Sequence, residues 1–211
     1  MKIFIDTADI HEIKEAFDRG WIDGVTTNPS LVSKVEKTHE DLIKEICEFL
    51  KDKPVSAEVL SVTAKEMVEE GVRLFKIHPS VVVKIPLTLE GLKAVKELKS
   101  KKIPTNVTLC FSANQAALAA KAGATFVSVF VGRLDDIGYK GTDIAIESHR
   151  ILSEYGFKTQ ILAASIRHPE HVLTLMRAGV PIFTVPYKVL KQLIKNPLTD
   201  IGLKKFLEDA K

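Results

Sequence analysis

Eight short runs of apolar and β-branched residues recur along the chain, at residues 2–6, 23–27, 55–59, 81–85, 104–108, 125–131, 159–164 and 180–185. Between them lie charged stretches whose apolar residues return every three or four positions, at 8–19, 39–50, 63–76, 89–101, 113–122, 143–155, 169–178 and 187–195. Strands separated by helices pair in parallel, because only a crossover of that length brings the next strand alongside. Eight such units in 211 residues predict an α/β chain folded as one (β/α)8 TIM barrel, with a doubly wound open sheet as the alternative. Thr7 and Asp9 precede the first helical stretch, Pro169 sits in a first turn, and Gly123 and Gly179 close two others. Residues 199–211, with Ile201, Leu203, Phe206 and Leu207 near helical spacing, read as an extra amphipathic helix that covers the barrel or a neighbouring subunit.

Charge narrows the partners. Thirty Lys and Arg against 27 Asp and Glu leave +3, without a basic stripe, which argues against nucleic acid. The N-terminal apolar run breaks at Asp6, and no run approaches the ~18 residues of a membrane span, so neither membrane insertion nor secretion is expected. Cys47 and Cys110 show no Cys-x-x-Cys pairing, and a cytoplasmic chain is expected. The histidines form no His-x-His or His-Glu-x-x-His pattern, Asp135-Asp136 reads as a helix start, and glycine-rich nucleotide motifs are missing, so no metal site is called for.

Barrel chemistry collects where strands end. Here the runs finish in Asp6, Thr26 with Asn28, Glu58, Lys84, Asn106 with Thr108, Ser128 with Arg133, and Ser165 with Arg167. Strand alternation gives Phe4 and Asp6, Ser56 and Glu58, Val82 and Lys84, Asn106 and Thr108, and Phe126, Ser128 and Phe130 a shared inward face. Lys84 interrupts a run that a parallel sheet buries on both faces, so it is either a Schiff-base nucleophile or a structural lysine paired to a carboxylate. Asp6 and Glu58 supply proton transfers or, alternatively, Lys84's counter-ion. The planar guanidiniums of Arg133 and Arg167, with Ser165, suit a phosphate.

The blocks Phe4-Ile5-Asp6-Thr7-Ala8, Gly24-Val25-Thr26-Thr27-Asn28-Pro29-Ser30-Leu31, Val83-Lys84-Ile85-Pro86, Asn106-Val107-Thr108-Leu109, Phe130-Val131-Gly132-Arg133 and Ala163-Ala164-Ser165-Ile166-Arg167 resemble the signatures of the transaldolase family. The short length is similar to its compact microbial subfamily, which also contains fructose-6-phosphate aldolases. The resemblance implies a (β/α)8 barrel, no external cofactor, and transfer of a dihydroxyacetone unit from a ketose phosphate (fructose 6-phosphate or sedoheptulose 7-phosphate) to an aldose phosphate (erythrose 4-phosphate or glyceraldehyde 3-phosphate), a step of the non-oxidative pentose phosphate pathway. It makes Lys84 the Schiff-base lysine, Asp6 the acid/base at the C4 hydroxyl, and Glu58 with Thr108 the holders of the catalytic water. Asn28, Asn106 and Ser128, with Thr26 and Phe130, become substrate contacts, and Arg133, Ser165 and Arg167 the phosphate site. A homo-oligomer, pentamer or decamer, is implied in the same way.

Three competing readings remain open on sequence. An aldolase that releases free dihydroxyacetone is the nearest, although such aldolases usually carry Gln and Tyr where this chain has Glu58 and Phe130. A metal- or base-dependent phosphosugar isomerase or epimerase needs no buried strand lysine. A non-catalytic phosphate-binding protein keeps only the barrel.

Overall fold

The computed structural model describes residues 1–211 and forms a closed barrel of eight parallel strands in sequence order. The strands are β1 (Lys2–Asp6), β2 (Gly24–Thr26), β3 (Val55–Glu58), β4 (Val81–Pro86), β5 (Thr105–Cys110), β6 (Phe126–Phe130), β7 (Gln160–Ala164) and β8 (Ile182–Val185). The helices are α1 (Ile10–Asp18), α2 (Pro29–Val32), α3 (His39–Leu50), α4 (Ala64–Phe75), α5 (Leu89–Ser100), α6 (Ala113–Ala122), α7 (Val131–Asp135), α8 (Gly141–Glu154), α9 (Pro169–Arg177), α10 (Tyr187–Leu193) and α11 (Pro197–Asp209). Caps set several starts: Asp9 accepts from the His11 and Glu12 amides, Thr63 from Glu66, and Ser112 from Gln115.

Period-two alternation divides the apolar residues between two layers. Ile5, Val83 and Val127 belong to a cluster of 46 residues between sheet and helices. Phe4, Val82, Phe126, Leu162, Ala164 and Ile182 fill the barrel itself. The rings of Phe4 and Phe126 meet edge-on at 5.9 Å across this floor. Gly24 is paired with Phe4, and a Cβ there would stand 2.8 Å from the Phe4 ring, so the floor depends on that glycine. Truncating a ring packed this way typically costs about 3–5 kcal/mol. Above the floor the inward positions turn polar.

The departures from the sequence expectation lie at the mouth and the C-terminus. Val131 opens α7 instead of extending β6, and Asp135 and Asp136 end that helix instead of starting one. The next helix begins at Gly141, whose amide donates to Asp135 Oδ1 at 2.8 Å. β5 carries a bulge: Val107 pairs with Val127 but Cys110 with Val129, and Leu109 takes φ 61°. The extra residue lets Thr108 and Leu109 both face the barrel opening.

α11 forms as expected, capped by Asn196, but buries no residue. Leu198, Ile201 and Phe206 are 74%, 64% and 72% exposed, so it does not cover the barrel of its own chain. The accessible surface of 11493 Å² exceeds the about 9,700 Å² of a compact chain of this mass, as a projecting helix requires. No helix is long and apolar enough to cross a membrane.

Candidate active site

The polar strand ends converge directly above the apolar floor. Lys84 is in register with Glu58 on one side and Asn106 on the other. Its Nζ lies 2.8 Å from Glu58 Oε2 and donates to the Thr27 carbonyl at 2.9 Å, with the two side chains only 6% and 15% exposed. An ammonium at this depth loses its water, and the carboxylate and carbonyl replace that hydration. The charged neighbour in contact is thus a carboxylate and not a second cation.

Asp6 sits beside this pair. The Thr26 hydroxyl donates to Asp6 Oδ1 at 2.8 Å and meets Thr184 Oγ1 at 2.6 Å, so the Thr184 hydroxyl donates in turn to Thr26. Burial pushes the Asp6 carboxyl above the ordinary carboxylate range. The charge of Lys84 and the Thr26 bond pull the other way, and the Glu58 charge adds to the rise. Deeper in the barrel, Asn106 donates to Ser56 Oγ at 3.1 Å and accepts from Ser128 Oγ at 2.8 Å. Thr108 Oγ1 is buried yet makes no hydrogen bond within the chain, an uncommon condition for a hydroxyl.

Asp6, Glu58, Lys84, Thr108, Arg133 and Ser165 face one cavity of about 390 Å³, whose wall includes Thr26, Asn28, Ser128 and Phe130. Asn28 Oδ1 also caps α2, accepting from the Leu31 amide at 3.1 Å. A hollow of about 440 Å³ at the opposite barrel end is lined mainly by apolar residues such as Trp21, Leu190 and Leu193 and gathers no comparable polar set.

The far side of the mouth is more open. The Arg133 guanidinium lies 4.9 Å from the centre of the Phe130 ring, and Phe130 packs edge-on against Phe111 at 5.7 Å. Ser165 holds φ 58°, a strained left-handed conformation, and its carbonyl accepts from the Gly132 amide at 3.0 Å. A Cβ on Gly132 would lie 2.3 Å from that oxygen and 2.6 Å from Arg167 Nε. Arg167 is not brought to the cavity wall: its Nη2 pairs with Asp136 Oδ2 at 2.8 Å, both side chains about half exposed.

A family model described as Transaldolase/Fructose-6-phosphate aldolase matches residues 3–211. The chain belongs to that enzyme family. It is 59% identical over 209 residues to a probable transaldolase of Moorella thermoacetica, across 99% of this chain and 97% of the relative. A probable transaldolase of Leptospira biflexa serovar Patoc is 55% identical over 211 residues, with 100% and 98% covered, and one from Clostridium acetobutylicum is 56% identical over the same length and shares. The solved structure of a mandelate oxidase mutant with a monooxide FMN adduct superposes with a TM-score of 0.61 at 14% identity, over 89% of this chain and 65% of that longer one. That likeness shows the barrel alone.

Seen as a member of the transaldolase/fructose-6-phosphate aldolase family, the chain has further cavity residues beyond the sequence candidates. Thr184, inward on β8 and paired with Phe4, completes the Asp6 chain of hydroxyls. Strand alternation was sufficient to find it. The Thr27 carbonyl and Leu109 carry no sequence signal, because one is backbone and the other faces inward only through the bulge. Burial holds the Cys110 thiol at about 11, far from thiolate chemistry. No group of three or more His, Cys, Asp or Glu converges to hold a metal ion.

Proposed function

We propose that this family member is a transaldolase working through a Schiff base on Lys84, and that it passes a dihydroxyacetone unit from a ketose phosphate to an aldose phosphate acceptor. The observation that carries the reading is the buried Lys84 flanked by two carboxylates, one in contact at 2.8 Å and the other with its carboxyl pushed up by burial. Lys84 gives a proton to its carboxylate partner and attacks C2 of the ketose. The carbinolamine hydroxyl takes a proton and leaves as water, forming the iminium. Glu58 is within hydrogen-bonding reach of that nitrogen, and the unpartnered Thr108 hydroxyl offers a second hold on the departing water.

The iminium then acts as the electron sink for breaking C3–C4. Asp6 accepts the C4 hydroxyl proton as the aldose phosphate departs, which leaves an enamine on Lys84. The acceptor aldehyde adds to the enamine carbon, Asp6 returns the proton to the new hydroxyl, and water releases the product ketose. A carboxyl with a raised pKa suits a group that takes and returns one proton in the same cycle. Asn28, Thr26, Ser128 and Phe130 shape the substrate cavity. Asn106 is not on its wall but lies beneath it and accepts from Ser128 Oγ. Arg133 and Ser165 take the phosphate, and Arg167 joins them by leaving Asp136. Glu58 and Phe130 stand where aldolases that release free dihydroxyacetone usually carry Gln and Tyr, and both favour transfer.

Borohydride reduction in the presence of fructose 6-phosphate tests the reading. Mass spectrometry should find the reduced three-carbon or six-carbon adduct on the peptide containing Lys84. An unlabelled Lys84 under conditions of turnover would exclude the Schiff base and favour an isomerase or a binding protein.

A further inference from the structure

A polar cluster outside the cavity ties the two arms of its open side together. His171, in the first turn of α9, is 7% exposed. Its Nε2 lies 3.0 Å from Asp135 Oδ2 at the end of α7, and its Nδ1 accepts a long 3.4 Å hydrogen bond from the Arg167 amide. Asp135 can only accept when ionised, so the proton belongs on Nε2 and Nδ1 is free as an acceptor. The same carboxylate's Oδ1 takes the Gly141 amide at 2.8 Å and so fixes the start of α8. α7 carries Arg133 and the loop after β7 carries Ser165 and Arg167, joined on the cavity side by the Gly132 amide and the Ser165 carbonyl.

We propose that His171, oriented by Asp135, is a positioning residue that holds the Arg133 arm and the Ser165–Arg167 arm at the separation needed to grip the substrate's phosphate. The inference rests on the proposed function for its substrate class. Ser165 sits in a strained conformation that persists only where surrounding contacts impose it, and the Arg167 amide two residues on is held by His171 Nδ1. Protonating Nδ1 would turn an acceptor into a donor facing another donor. The charged and titratable groups around it are Asp135 from α7 and Arg167 and His168 from the loop, with the His168 ring 3.8 Å away. Burial, followed by His168, holds the His171 ring neutral to lower pH than an ordinary histidine, against the pull of Asp135.

The test compares kcat and KM for fructose 6-phosphate and for unphosphorylated fructose in the unaltered enzyme and in His171→Phe, which keeps the ring's bulk and deletes both hydrogen bonds. KM for the phosphorylated donor should rise about five- to tenfold, the effect of one lost positioning bond. Its kcat, and kcat/KM for fructose, should stay within about twofold. Acidification below about pH 6.5 should raise the phosphorylated-donor KM more steeply in the unaltered enzyme than in the variant. The phosphate's own ionisation near pH 6 is common to both and cancels in the comparison. Inorganic phosphate affinity, read by calorimetry, should fall by the same factor, and this arm needs no turnover. Absence of turnover and of a Lys84 adduct in the unaltered enzyme would therefore sink the reaction assignment while the calorimetric arm still decides the inference. If His171→Phe does not fold, Asp135→Asn takes its place. There the amide faces Nε2, drives the proton to Nδ1 and should produce the same KM split. Equal losses on both donors, or unchanged phosphate affinity, would overturn the proposal.

Discussion

The two sides of the barrel mouth are built on different principles. On the β1–β4 side, Asp6, Thr26, Glu58 and Lys84 are strand residues set by register, buried or half-buried, and paired by contacts within the sheet, Thr26 with Asp6 and Lys84 with Glu58. On the β6–β7 side, Arg133 and Arg167 sit on a short helix and a loop, one resting on an aromatic ring and the other about half exposed against Asp136. A covalent step needs reacting atoms fixed before the substrate arrives, and strands in a closed sheet supply that. A phosphate needs cations that exchange one partner for another, and loops supply that.

Removing Lys84 breaks the buried side most severely. Lys84→Met should lower turnover by at least about a thousandfold, the scale of losing a covalent nucleophile. It also strands Glu58, and removing one member of a buried pair commonly costs about 3–5 kcal/mol. Lys84→Met/Glu58→Gln should therefore be more stable in urea than Lys84→Met alone while remaining inactive. More than a few per cent of wild-type transfer in the folded single variant would reject Lys84 as the nucleophile.

Asp6 gives the next largest effect and a pH signature. Asp6→Asn should still form the reducible adduct but cleave it about a hundred- to ten-thousandfold more slowly, because an amide cannot accept the C4 proton. The folded-state pKa of Asp6 is raised, so between the unfolded and folded values the native chain binds more protons than the unfolded one. Stability contributed by this group is then full below the unfolded value and is lost as pH rises through the folded one. Asp6→Asn should consequently melt at or above the wild-type temperature at neutral pH, with the gain vanishing near pH 4. A variant destabilised at neutral pH would mean that the Thr26 and Lys84 contacts outweigh the burial cost.

The open side should respond through KM. Arg133→Ala should raise KM for phosphorylated donors roughly ten- to hundredfold, as expected for a lost charge-assisted bond. Arg167→Ala should cost less, since Arg167 must first give up Asp136. Conversely, Asp136→Asn should lower KM for phosphorylated donors by up to about fivefold, because an exposed ion pair is worth at most ~1 kcal/mol. Effects of equal size on unphosphorylated fructose would remove these residues from the phosphate site.

How much of this was legible in the sequence follows the same division. The barrel and the inward polar residues are consequences of period-two alternation in short strands, so Asp6, Glu58, Lys84, Asn106, Thr108 and Ser128 could be placed on one face from spacing alone. What spacing cannot contain is pairing across the barrel and the shape of connections. The contact of Lys84 with the Thr27 carbonyl needs the closed sheet. α2 and α7 are four and five residues long, too short to show a helical period. Arg167 follows its strand in the sequence as closely as other candidates do, yet its direction is set by Gly132 and Asp136.

Phe130 lies where the two sides meet and gives the smallest and most discriminating change. Its ring lines the cavity, contacts Phe111 and carries Arg133 on its face. Phe130→Tyr keeps that ring, so phosphate affinity should hold, and adds one hydroxyl to the cavity wall that Glu58 and Thr108 also line. A better-held water hydrolyses the lysine adduct faster and diverts the dihydroxyacetone unit from the acceptor to solvent. A change of about 1.4 kcal/mol in that step shifts the partition tenfold, close to what one hydrogen bond at a charged intermediate supplies. Release of glyceraldehyde 3-phosphate from fructose 6-phosphate is followed with and without erythrose 4-phosphate. The acceptor-free rate should rise relative to the other by up to that factor. An unchanged ratio would make Phe130 simply the seat of Arg133, and would leave Glu58 as the only residue arguing for transfer over release.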